Sequence, residues 1–226
     1  MNKESIIPLS FIIELLNPPM RHPIESTNKL FNELKDTYSN CTRPADNITE
    51  FFSIDRNTQE QKRCIVRGDK IMISNLFTSC TLESFWKTSS DVLKKAVKIL
   101  QIPLFFFRQY TVRLTATPLK EKDSRRFLGN RVCGFEDLKL KCLARPIHGC
   151  GIRLVFPPLK DNQSEYIIRV ESLLKDISRI FLENQARFLV PIQLQGDYLA
   201  NIKEELDKTY SFLRENISDF LIQYNE

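Results

Sequence analysis

Histidine and glycine are the scarce residues of this chain, two and six among 226. With only His22 and His148 available, most hydrolytic designs built on a general acid and a general base lack parts. The glycines are too few for flexible linkers or a collagen-like segment, and none forms a phosphate-cradling G-x-x-x-x-G-K-S/T or G-x-G-x-x-G loop. H-E-x-x-H and G-x-S-x-G are missing too. No apolar run approaches the ~20 residues that cross a bilayer. The opening MNKESIIPLSFIIELLNPP holds a short apolar run, interrupted by Glu14 and followed by no small-residue cleavage site. We therefore expect no signal peptide and a cytoplasmic location.

Six cysteines are present (Cys41, Cys64, Cys80, Cys133, Cys142 and Cys150), none in a C-x-x-C pair. A chain this long builds its own core, so reduced thiols acting as small hydrophobes are expected in place of a disulfide framework. Hydrophobic content of 42% and charged content of 27% are ordinary for a globular protein. The length suits a single compact domain over 1–226, with pseudo-repeat halves 1–118 and 119–226 as an option. From Asp197 onward there are three basic and seven acidic residues; the net charge of +5 thus leaves +9 on the first 196 residues. A basic body with an acidic terminal segment is compatible with an anionic partner.

Residues 6–16 read as a strand ended by Asn17-Pro18-Pro19, and Pro23 suits the first turn of a helix carrying Leu30, Phe31, Leu34 and Tyr38. A polar loop is expected over 41–47, then strands at 48–54, 62–67 and 70–77, with Arg67-Gly68-Asp69-Lys70 as a hairpin turn. Thr81 suits the cap of a helix over 82–100, whose Leu82, Phe85, Trp86, Val92, Leu93, Ala96, Val97 and Leu100 fall on one broad stripe. Residues 105–117, FFFRQYTVRLTAT, read as a long strand with Arg108 and Arg113 on opposite faces. One or two helical turns follow Asp123 and stop at Gly129. Strands are expected near 135–145, 150–157, 165–174 and 179–194, then an amphipathic helix over 198–223 capped by Asp197, with Glu204 and Lys208 paired on its wet face. The predicted class is α+β: a mainly antiparallel twisted sheet in two related halves, two main helices and a long C-terminal helix.

The stretch PIHGCGIRLVFPP, residues 146–158, carries the most suggestive chemistry. In an extended chain His148 and Cys150 lie about 6–7 Å apart on one side, too far for a thiolate–imidazole pair without a bend. No motif supplies a group to orient the histidine or to hold an oxyanion. Cys133, Cys142, His148 and Cys150 offer four zinc ligands in number, but without the close knuckles that structural zinc uses. We read Gly149 and Gly151 as permitting a bend between strands, with Cys150 as filler, and expect no metal and no cofactor. The arginines point elsewhere. Strand alternation sets Arg153, Arg169 and Arg187 opposite the aliphatic residues of GIRLVFP, YIIRVES and QARFLVPIQL. With Glu171 among them, they form either a solvated face of cross-strand ion pairs or a concave surface for phosphate or carboxylate groups.

SRRFLGNRV, ARPIHGCGIRLVFPP, IIRVESLLKDISRIFLENQARFLVPI and the closing YLANIKEELDKTYSFLRENISDFL together resemble a group of uncharacterised bacterial proteins, related to a sporadically distributed bacterial family of unknown function. The resemblance covers most of the chain, most clearly from residue 123, and implies an α+β fold of two related halves in a bacterial cytoplasm. It supplies no catalytic residues to transfer.

Two functions remain in view. The first is a non-catalytic binding or accessory module, recognising an acidic protein partner or an anionic ligand through a sheet face bearing Arg153, Arg169, Glu171 and Arg187. The second is an enzyme whose site assembles only in the fold, from strand arginine and glutamate or from the His148 loop. A nucleic-acid role has a moderate basic excess behind it and no recognised motif. No membrane association is expected, and the protein is expected to be a monomer or a homodimer.

Overall fold

The computed structural model describes residues 3–160 and 163–224. Its first strand, β1 (Ile7–Leu16), is followed by helix α1 (Ile24–Glu33) and a meander of β2 (Asn40–Ala45), β3 (Ile48–Ile54), β4 (Gln61–Arg67) and β5 (Lys70–Leu76). Helix α2 (Leu82–Leu100) closes this half. A two-residue strand, β6 (Leu104–Phe105), precedes β7 (Phe107–Ala116), and then α3 (Ser124–Arg126) runs on as a π-helical turn over Phe127–Val132. After α4 (Asp137–Leu140) and a tight 3-10 turn at Lys141–Leu143 come β8 (Gly151–Phe156), β9 (Ser164–Ser172) and β10 (Ile180–Phe188). The short β11 (Ile192–Gln193) leads into α5 (Tyr198–Ser211), which a π-helical turn (Phe212–Ile217) joins to α6 (Ser218–Ile222).

Nine strands form one antiparallel sheet in the order β2-β3-β4-β5-β1-β7-β10-β9-β8. The order of elements repeats. In each half a first strand pairs with the last strand of the meander that follows it, β1 with β5 and β7 with β10, and a long helix comes after that last strand. The two first strands pair with each other, from Ile7 opposite Thr115 to Leu16 opposite Phe107, and so join the halves into one sheet.

Alternation gives the sheet two different faces. One row runs from Asn75 through Phe11, Val112 and Asn184 to Ile168, and all five are buried. Onto this face pack the helices. Phe85 of α2 stacks on Phe11, Phe31 of α1 on Phe51, and Phe212 after α5 lies against Tyr166. The buried Asn184 donates to the Thr209 carbonyl at 2.9 Å, which ties α5 to β10. One continuous apolar core therefore runs beneath both halves.

Capping chemistry sets the helix ends. Thr81 Oγ1 accepts from the Ser84 amide at 3.2 Å, Asp123 Oδ1 from Arg125 at 2.9 Å, and Asp197 Oδ1 from Ala200 at 3.3 Å. Gln101, in the left-handed region at φ 54°, ends α2. Glu204 and Lys208 pair at 2.6 Å along α5. The β4–β5 turn needs its glycine for a reason of space: a Cβ on Gly68 would stand 2.4 Å from the Met20 carbonyl oxygen. The Met20 amide in turn donates to the Gly68 carbonyl, which straps the Asn17–Met20 segment across the hairpin.

Four expectations need correction. Residues 135–145 are not a strand but α4 and the 3-10 turn; no β-branched residue occurs there, and leucine, lysine and glutamate favour helix. The expected loop at 41–47 is mostly β2, an edge strand held by backbone pairing, so that burial imposed no alternation on its side chains. The turns after Asp123 do not stop at Gly129 but continue to Val132, and Gly134, at φ 66°, ends them. The strand proposed over 179–194 breaks after Phe188, and beyond Pro191 its remainder pairs with β6 as a separate ladder.

Candidate functional site: an arginine row and a bare sheet edge

Arg113 on β7, Glu183 on β10, Arg169 on β9 and Arg153 on β8 face one another in register, on the side of the sheet away from Phe11, Val112 and Ile168. Glu183 is buried between two cations: Arg113 Nε lies 2.6 Å from it and Arg169 Nη1 3.3 Å. Arg169 also grips Glu171, the second carboxylate on its own strand, with Nε and Nη2 at 3.0–3.1 Å. Arg187 sits four residues beyond Glu183 on β10, 3.7 Å from Glu165 and 3.3 Å from the Gln109 side-chain oxygen. The pattern extends into the first half, where Lys70 pairs with Glu14 at 3.4 Å and Arg63 with Glu50 at 3.2 Å. The half-exposed Lys70–Glu14 and Arg63–Glu50 pairs each contribute about 0–1 kcal/mol. Their main effect is to neutralise the face.

The sequence-predicted cluster is thus divided. Arg153, Arg169 and Glu171 are neighbours, whereas Arg187 belongs to a separate pair with Glu165. Arg153 differs from the others: it is exposed, stands opposite Arg169, and has no carboxylate partner among the described residues. It also sits on β8, the outermost strand at its end of the sheet.

The bend before β8 has a geometric cause. A Cβ on Gly151 would lie 2.5 Å from the Val170 carbonyl oxygen, and one on Gly149 would touch Leu174 at 3.0 Å. These close approaches let Cys150 exchange bonds with Ser172, its amide donating to Ser172 Oγ at 3.0 Å and its carbonyl accepting from the Ser172 amide at 2.8 Å. His148 is exposed, and the side-chain neighbour of Cys150 is Cys133. Burial, reinforced by Cys133, pushes the Cys150 thiol upward, the wrong direction for a nucleophile. Among the described residues no three or more histidine, cysteine or acidic side chains are grouped to hold a metal ion. Cys64, fully buried, is pushed up to about 12.

Two cavities lie elsewhere. A cleft of about 1300 Å³ opens between the start of α1, the β2–β3 turn and the β4–β5 hairpin. Its arginines, Arg21, Arg43 and Arg67, are matched in number by Glu25, Asp46 and Asp69, so it has no charge bias. Arg67 is already 3.2 Å from Asp69, and Arg43 donates to Asn28. His22 lines this cleft half-buried, and burial lowers its pKa against the opposing effect of a hydrogen bond with the Arg67 backbone.

The second cavity, about 380 Å³, borders a constellation the sequence did not suggest. Arg108, only 2% exposed, projects from β7 toward α5 and holds Glu205 through Nε at 2.8 Å and Nη2 at 2.6 Å. Tyr110 donates to the same carboxylate at 2.8 Å, and Arg108 Nη1 donates to the Val190 carbonyl. Burial, then the Glu205 charge, raises the Tyr110 pKa well above the usual value, so the phenol stays a donor. The group is satisfied internally and reads as a clamp between sheet and terminal helix.

The fold and these sites define an α+β protein with helices on one sheet face and an ion-paired, arginine-bearing face on the other. No protein-family model and no curated protein matches the chain. No helix among the described residues is long and apolar enough to cross a membrane.

Proposed function

We propose that this protein is a cytoplasmic, non-catalytic binding module that recognises an acidic protein partner or an anionic ligand through the β8 end of its arginine row. The observation that supports this reading is Arg153. Across β7, β10 and β9 every cation of the row has a carboxylate, and the compensation ends at β8. Arg113, Arg169 and Arg153 together outnumber Glu183 and Glu171 by one charge, and the unmatched guanidinium is the exposed one. A guanidinium beside a second arginine gains most from an external carboxylate or phosphate, which can take both of its parallel donors. Membership of the sporadically distributed bacterial family belongs to the same proposal and rests on the sequence resemblance alone.

The test is binding of poly-L-glutamate and of inorganic phosphate at low salt, followed by titration with sodium chloride. Wild-type protein should bind at least one of them, with affinity falling as salt rises. Arg153→Glu combined with Arg169→Glu should keep the circular dichroism spectrum and lose the binding. Unchanged binding by the double variant, or no binding of either probe to the wild type, would overturn the reading.

A further inference from the structure

The two edges of the sheet are unequal. β2 is guarded: it contains Pro44 and the charged Arg43, and its pairing with β3 breaks register between Thr42 and Ala45. Such devices keep foreign strands off an edge. At the opposite edge β8, GIRLVF, pairs with β9 without interruption from Gly151 to Phe156 and contains no proline. Val155 is 54% exposed and Phe156 36%. Among the described residues β8 has no strand on its outer side, which leaves alternate backbone N–H and C=O groups free to accept one.

Charge says what kind of strand fits. From Lys139 to Lys160 the chain carries Lys139, Lys141, Arg145, Arg153 and Lys160 and not one acidic residue. A second copy of this chain, pairing β8 to β8, would bring two such segments together, and like charges in juxtaposition oppose that contact. An extended acidic segment meets the opposite condition. Building on the proposed recognition of acidic partners, we infer that β8 takes up an extended peptide of alternating acidic and aliphatic residues as a tenth strand. Its backbone pairs with the outer side of β8, its carboxylates meet Arg153, and its aliphatic side chains extend the partly buried row of Ile152 and Leu154.

A capped heptapeptide alternating glutamate and valine, together with the same peptide N-methylated at every internal residue, tests this on the full-length protein. The methylated form keeps the charges but cannot complete a ladder. We expect the plain peptide to bind, to slow hydrogen exchange in β8, and to weaken by at least about tenfold on Arg153→Glu. The methylated peptide should not bind. Equal binding of both, with β8 exchange unchanged, would overturn strand addition while leaving acidic recognition standing. If poly-L-glutamate binds in an Arg153-dependent way and the heptapeptide does not, strand addition alone fails; if neither of these nor inorganic phosphate binds, both readings fail. Sedimentation showing a dimer that protects β8 without peptide would assign the edge to a second copy and likewise overturn the inference.

Discussion

Arg108 and Glu205 show what a single buried charge demands of its surroundings. All three guanidinium nitrogens of Arg108 donate, two to Glu205 and one to the Val190 carbonyl, Tyr110 completes the group, and both charged side chains are largely buried. Removing one partner leaves the other buried and uncompensated, which typically costs about 3–5 kcal/mol. Glu205→Ala should therefore lower the urea-unfolding free energy by that amount. Replacing both, as Arg108→Met with Glu205→Leu, should recover most of the loss, because apolar side chains of similar volume need no partners. A Glu205→Ala loss below about 1 kcal/mol would show the pair to be solvated instead of clamped. Glu204, the adjacent residue, behaves differently: it is exposed and pairs with Lys208 in its own helix. One step along a helix turns a side chain by about 100°, from water to core.

The C-terminal helix, at the scale of an element, is attached by its apolar stripe as well as by the clamp. Ile202, Leu206, Leu213, Ile217 and Leu221 are buried along it, and Phe212 meets both Tyr166 and Phe156. Burying a leucine contributes about 1.5–3 kcal/mol, and placing a carboxylate there adds the cost of desolvating a charge. Leu213→Asp should abolish the cooperative thermal transition, whereas Lys208→Ala should move it by no more than a degree or two, since an exposed i,i+4 pair contributes about 0.3–0.5 kcal/mol. A native-like Leu213→Asp protein would mean that the helix is not part of the core. At this scale the sequence was informative wherever burial imposed a period. The stripes of α2 and α5 and the alternation of β7, β9 and β10 are all visible in it. It was uninformative for β2, whose side chains apart from the half-buried Cys41 are exposed, and for 135–145, where leucines spaced by two suit either a strand or a short helix.

The described residues form one nine-stranded main sheet over one core, although the order of elements repeats. The β1–β7 ladder lies at the centre and joins the halves through long backbone pairing, and the buried cluster extends from Leu30 in α1 to Leu221 in α6. Neither half then has a surface along which it can separate without exposing apolar side chains. We expect one unfolding transition, with equal calorimetric and van't Hoff enthalpies. Two resolved transitions, or a stable fragment spanning 1–118, would show the halves to be independent domains.

The sequence by itself determined the alternation that sends Arg108 and Arg113 to opposite faces and the caps at Thr81, Asp123 and Asp197. Each of these depends only on residues close along the chain. Which carboxylate meets which arginine was decided by tertiary structure. Glu183 lies between Arg113 and Arg169 because three distant strands align in register, and Arg153 has no carboxylate partner among the described residues because β8 is the outermost strand at its end of the sheet. Glu205, not Glu204, reaches Arg108 because of the way α5 lies across β7. Periodicity says which way a side chain points; only the packing of segments far apart in sequence says what stands opposite it.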